Sequence, residues 1–143
     1  MLKSSGKEFL KSTRDAIEEF QEKFVAFLLE YGWHKEAIFA VRLTVEEALA
    51  NAMKHGNEDD PEKKIVISWS LDGMILDIAV VDEGDGYEPE AVPDPTRKEN
   101  LTLTSGRGLA LMRAFVSHIK VIPPGNRVEL RFDGAASSNQ EEH

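Results

Sequence analysis

The sequence contains no cysteine. Disulfides, cysteine–zinc centres and thiol nucleophiles are therefore excluded, and a reducing cytosol is a fitting home. Long apolar runs are also missing, and nothing approaches the ~18 residues of a membrane span. Met1 to Lys7 carries no apolar core with a small-residue cleavage site, so no signal peptide is expected and a cytoplasmic location is. Basic residues are the minority, 17 against 26 acidic ones, leaving a net charge of −9. A surface of that sign repels nucleic acid and anionic lipid. The pairs Lys63-Lys64 and Arg97-Lys98 are too small to reverse it. No G-x-x-x-x-G-K-[ST] phosphate loop is present, and no parallel β-α-β unit surrounds a glycine fingerprint.

What is present suits one domain. A chain of 143 residues has room for a single core. Residues 1–134 are expected to form it. The small, polar end, Gly134 onward, is expected to fray, with 135–143 disordered.

Apolar periodicity predicts three helices. The first spans Lys7 to Tyr31, with Phe9, Ala16, Phe20, Phe24, Phe27 and Leu28 on its apolar face and Gly32 as its stop. The second runs from about Lys35 to His55, with a stripe of Ile38, Val41, Val45, Leu49 and Ala52, and ends at Gly56-Asn57. The third runs from Gly106 or Arg107 to Ser117, with Ser105 as N-cap. Between the last two lie strands. Residues 65–69 alternate, Asp72-Gly73 signals a hairpin turn, and Ile75 to Val81 is a short β-branched run. Ile119 to Ile122 and Arg127 to Phe132 read as a final hairpin across Pro123-Pro124-Gly125-Asn126. Tight turns between consecutive strands favour antiparallel pairing. The expected fold is thus an α+β two-layer sandwich, a mostly antiparallel sheet covered on one face by helices. Asp82 to Ser105 lacks periodicity, and a stretch that long inside a compact domain is usually a binding loop or lid.

Three constellations can carry chemistry. The first is Glu46-Glu47-Ala48-Leu49-Ala50-Asn51-Ala52-Met53-Lys54-His55-Gly56. Glu47, Asn51 and His55 recur four apart and so share a helix side, away from the apolar stripe. A solvated helix face is the alternative, but an asparagine flanked by alanines is a poor helix former that lets a ligand approach the backbone. The second is Asp82-Glu83-Gly84-Asp85-Gly86, directly after an apolar strand, where glycines permit tight turning; an ordinary acidic turn is its alternative. The third is Ser105-Gly106-Arg107-Gly108-Leu109 at a helix start, where free N–H groups and the helix dipole suit phosphate; a plain loop-to-helix turn is its alternative.

Taken in order, these boxes resemble the N, G1 and G2 motifs of the GHKL (Bergerat-fold) ATPases. The form Glu-Ala-x-x-Asn-Ala-x-x-His-Gly is most similar to the stand-alone anti-sigma-factor serine/threonine kinases. The resemblance covers about Phe39 to Phe132. It implies a Mg²⁺·ATP-dependent protein kinase that phosphorylates a small anti-anti-sigma-type antagonist and holds a sigma factor, with homodimerisation common. It implies Glu47 as general base, Asn51 as the Mg²⁺ ligand, and His55 beside the nucleotide. Asp82 would read the adenine amine, Gly84 and Gly86 would pack on the base, and Gly106 and Gly108 would face the phosphates with Arg107. Tyr87 to Thr104 would be the lid. The first helix and the lid are the expected partner surfaces. Family members often carry a threonine after the last-hairpin glycine, and Asn126 stands there instead. A non-catalytic nucleotide-binding or protein-sequestering module is the rival from a different class. A histidine-kinase catalytic domain working in trans is a third reading, but the chain shows no dimerisation helix with a phospho-accepting histidine.

Overall fold

The computed structural model describes residues 3–84, 106–122 and 126–136, and at 106–109 and 111 the backbone alone. The elements are β1 (Lys3–Lys11), α1 (Arg14–Glu30), α2 (Lys35–Asn51) continued by a π turn (Ala52–Gly56), β2 (Lys64–Asp72), β3 (Ile75–Val81), α3 (Gly106–Phe115), β4 (Val116–Ile122) and β5 (Arg127–Asp133). The five strands form one antiparallel sheet in the order β1-β2-β3-β5-β4. The helices pack on one face of it, as expected of a two-layer α+β sandwich. Among the described residues, no helix is long and apolar enough to cross a membrane.

The core forms because the two periodicities meet. Every second residue of the central strands points inward, among them Ile65, Ile67 and Leu71 of β2, Leu76, Ile78 and Val80 of β3, and Leu130 and Phe132 of β5. The stripe Ile38, Val41, Val45, Leu49 and Ala52 is buried against them, as its spacing predicts. Gly32 stops α1 as expected. It has φ of +84°, and the N–H groups of Gly32 and Trp33 donate to the carbonyls of Leu29 (3.0 Å) and Leu28 (3.1 Å). This is a Schellman ending, which requires a left-handed residue at that point. Gly73 opens the β2–β3 loop with φ of +61°, as two-residue hairpins demand.

The first helix is shorter than its periodicity predicts. Residues 3–11 form an edge strand paired along its length with β2, and α1 begins at Arg14. Thr13 caps it, its Oγ1 accepting from the Ala16 N–H at 3.2 Å. Phe9, expected on the apolar helix face, is 67% exposed on the outer face of the sheet, while Leu10 points inward. Pairing with a neighbour, not local pattern, makes this strand: Gly6 sits opposite Trp69, whose indole occupies the space a side chain at position 6 would need. Trp69 in turn packs edge-on to Phe24, ring centroids 5.3 Å apart at 75°. Two smaller corrections concern chain ends. The last helix stops at Phe115, and β4 begins at once with Val116. Gly134 is not frayed: it lies buried against Trp33 and donates to the Met74 carbonyl at 2.7 Å, and Ala136 still packs on the core. Residues 137–143 lie outside the described residues.

Candidate functional site

Glu47 and Asn51 stand one turn apart at the C-terminal end of α2, and both are half-buried. Burial, and then the neighbouring charge of Glu46, push the Glu47 carboxyl above its ordinary pKa, with Lys54 opposing. Glu46 itself lines a different hollow, a cleft of about 210 Å³ between α1 and α2 that also includes Arg14, Asp15 and Glu18. The two adjacent glutamates therefore serve different surfaces.

After Asn51 the helix widens into the π turn. The Asn57 N–H donates to the Ala52 carbonyl at 2.8 Å, five residues back. Single π turns are rare and tend to mark functional sites. His55 lies within this turn, exposed, where the four-residue repeat linking Glu47 and Asn51 no longer holds. Glu58 and Asp59 follow with φ of 52° and 58°. Such conformations are costly for residues with a Cβ and persist where the surroundings impose them.

Asp82 follows β3 directly and is buried. Its Oδ1 accepts from the Gly84 N–H at 2.8 Å. Burial raises its pKa, opposed by that hydrogen bond and by the charge of Lys63. The carboxylate packs against Gly56, and a Cβ there would overlap it. A Cβ on Gly84 would meet both the Gly56 carbonyl and the Asp82 carboxylate. Both glycines are thus required by close approach, and together they bring the end of the α2–π-turn unit onto the turn after β3.

Asn126 has a role the sequence did not reveal. Its carbonyl accepts from the Asp82 N–H at 3.0 Å, and its Nδ2 donates to the Asp82 carbonyl at 3.4 Å. The residue that departs from the resemblance thereby fixes the backbone of Asp82. Asn57, expected only as a helix end, is fully buried and hydrogen-bonded to Glu83, Ser12 and Lys64. A single polar residue after a helix-ending glycine carries no sequence signal of this role.

Gly106, Arg107, Gly108 and Leu109 form the first turn of α3, which packs on α2 through Met112 and Leu43. Gly86, Ser105 and the expected lid, Tyr87 to Thr104, lie outside the described residues. A groove of about 820 Å³ lies elsewhere, on the outer face of the sheet among Ser68, Asp77, Arg131 and their neighbours. Among the described residues, no predicted site residue lines it.

The arrangement offers a buried carboxylate acceptor flanked by small residues, with oxygen donors on the adjacent helix. A carboxylate accepts hydrogen bonds, so it pairs with an amine and repels a carbonyl.

Comparison with known proteins agrees with this architecture. The family model described as "Histidine kinase-like ATPase domain" matches residues 10–132. An anti-sigma F factor of Shouchella clausii is 32% identical over 100 residues, covering 68% of each chain. One from Anoxybacillus flavithermus is 30% identical over 111 residues, covering 73% of this chain and 75% of its own. One from Clostridium perfringens is 31% identical over 105 residues, covering 71% and 74%. With the match spanning the helices, strands β2 to β5 and the Asp82 turn, the chain belongs to the histidine kinase-like ATPase domain family.

Proposed function

We propose that this protein is a cytoplasmic Mg²⁺·ATP-dependent serine/threonine kinase that regulates transcription by partner switching, phosphorylating a small antagonist protein and binding a sigma factor. The observation that carries the reading is the Asp82 carboxylate, buried against Gly56 and held by Gly84, beside a helix end that presents Glu47 and Asn51. The names of the anti-sigma F factors to which the chain is similar support the regulatory role. The residues present fit the ligands. One Asp82 oxygen is committed to the Gly84 N–H, leaving the other as an acceptor for the adenine amine. Asn51 supplies a neutral oxygen, the donor type Mg²⁺ takes alongside phosphate oxygens. When bound, Mg²⁺ would neutralise phosphate charge.

Glu47 would take the proton from the attacking serine or threonine hydroxyl. The oxygen–γ-phosphorus bond forms as the bond from that phosphorus to the β–γ bridging oxygen breaks, and ADP leaves. A carboxylate held above its ordinary pKa is a stronger proton acceptor than a solvated one, provided it is ionised at working pH. The backbone N–H groups at the start of α3, from Gly106 to Gly108, would hold the phosphates, with Arg107 as a charge-assisted contact.

Calorimetry of ATP binding, with and without Mg²⁺, tests the pocket. Magnesium-dependent binding that Asp82→Asn weakens is expected. Wild type that binds no ATP overturns the kinase reading. Transfer of γ-phosphate to the antagonist should vanish in Glu47→Gln while ATP binding persists. An undiminished regulatory effect in that variant would instead identify a sequestering module.

A further inference from the structure

We propose that Asn57 is a positioning residue that sets nucleotide-base selectivity by holding the Asp82–Gly84 turn against the end of α2; this rests on the ATP-binding reading above. Asn57 has no exposed surface. A buried amide is costly unless each of its hydrogen-bonding groups is met. Here all three are. Nδ2 donates to Ser12 Oγ at 2.8 Å and to the Lys64 carbonyl at 3.0 Å, and Oδ1 accepts from the Glu83 N–H at 2.8 Å. The amide cannot be turned the other way. The Ser12 hydroxyl spends its own proton on the Lys63 carbonyl at 2.7 Å, so towards Asn57 it can only accept.

These bonds join four separate stretches of chain: the π turn after α2, the end of β1, the start of β2 and the turn after β3. The Glu83 carboxylate closes the ring by accepting from the Lys64 N–H. Glu83 stands between Asp82 and Gly84, and the Gly84 N–H is what orients the Asp82 carboxylate. Fixing the Glu83 N–H fixes the peptide plane between Asp82 and Glu83. Were that plane to turn, the Gly84 N–H would leave Oδ1, and the carboxylate would lose its register against Gly56. Asn126 holds the same peptide by its carbonyl end, its Nδ2 donating to the Asp82 carbonyl at 3.4 Å, but it comes from the turn before β5 rather than from the helix. The side-chain bonds from Asn57 are those that lock the turn to the helix bearing Glu47 and Asn51. Asn57 keeps no group free for a ligand, so its effect on a nucleotide must pass through Asp82.

A residue needed only for stability would lower the melting temperature and leave base preference alone. The test is therefore the ratio of ATP to GTP affinity, measured by calorimetry on protein shown by circular dichroism to be folded. Asn57→Ala is expected to weaken ATP about tenfold, the worth of one hydrogen bond, and to move the ATP/GTP ratio towards one. Combined with Asp82→Asn, it is expected to add little further loss, since both act through one carboxylate. Ser12→Ala removes one anchor of the amide and should shift the ratio the same way by a smaller factor. A folded Asn57→Ala with the wild-type ratio, or additive losses in the double variant, overturns the proposal. Should Asn57→Ala not fold, an unchanged ratio in Ser12→Ala overturns it. Wild type without ATP binding is a different result, because it removes the parent reading.

Discussion

The carboxylate of Asp82 lies against the α-carbon of Gly56, two positions that are 26 residues apart in the chain. This contact joins the first two sequence boxes into one site. It also makes Gly56 irreplaceable. Gly56→Ala places a methyl group where the carboxylate sits, so the Asp82 turn must shift. Overpacking of this kind costs about 1–3 kcal/mol. The expected outcome is a lowered denaturation midpoint in urea together with loss of measurable ATP binding by calorimetry. Retained wild-type ATP affinity would show that the carboxylate does not read the base.

Asp82→Asn should separate binding from stability. The substitution leaves an oxygen for the Gly84 N–H but turns an N–H₂ group towards the adenine amine, donor against donor. ATP affinity should fall about ten- to a hundredfold, the worth of a hydrogen bond to a charged group, and discrimination against GTP should fall with it. Stability moves the other way. Burial raises the folded-state pKa of Asp82, so the folded protein binds that proton more tightly than the unfolded chain does. The wild-type protein therefore loses stability as pH rises from the unfolded carboxyl range through the raised value, and the penalty stays in place above it. Asparagine carries no pH-dependent penalty, only the fixed cost of its buried N–H₂. The melting temperature of the variant should therefore gain on that of wild type as pH rises through that range. A difference that does not change with pH would contradict the account.

The Glu46 charge should be visible in the pH dependence of phosphotransfer. A general base works ionised, so the rate rises as pH passes its pKa. Glu46 contributes to raising that pKa. Glu46→Gln should therefore shift the acid limb of the pH–rate profile to lower pH, with the plateau little changed. An unmoved limb would mean that the group governing it does not feel the Glu46 charge.

Near the middle of β1, Gly6→Ala tests how the edge strand is held. The added methyl would overlap the Trp69 indole. A loss of about 1–3 kcal/mol in urea unfolding is expected, with ATP affinity unchanged because the site is built elsewhere. Unaltered stability would show that the Trp69 ring moves aside freely.

Sequence by itself determined the α1-α2-β2-β3 and α3-β4-β5 succession, the inward stripe of α2, the Gly32 stop and the β2–β3 hairpin, and it singled out Glu47, Asn51 and Asp82 as candidates. Each of these rests on a local rule: apolar period, turn chemistry or motif spacing. Only the tertiary structure decided the rest. Residues 3–11 carry two apolar side chains, Phe9 and Leu10, and no alternation, so nothing local marks a strand; the free edge of β2 makes one. Phe9 fits a helical period by coincidence, whereas the helix itself starts only after the Thr13 cap. Asn57 and Asn126 look like ordinary loop asparagines until folding places the Glu83 and Asp82 peptides beside them. A buried hydrogen bond depends on which segments meet, and the spacing of residues along one chain does not encode that.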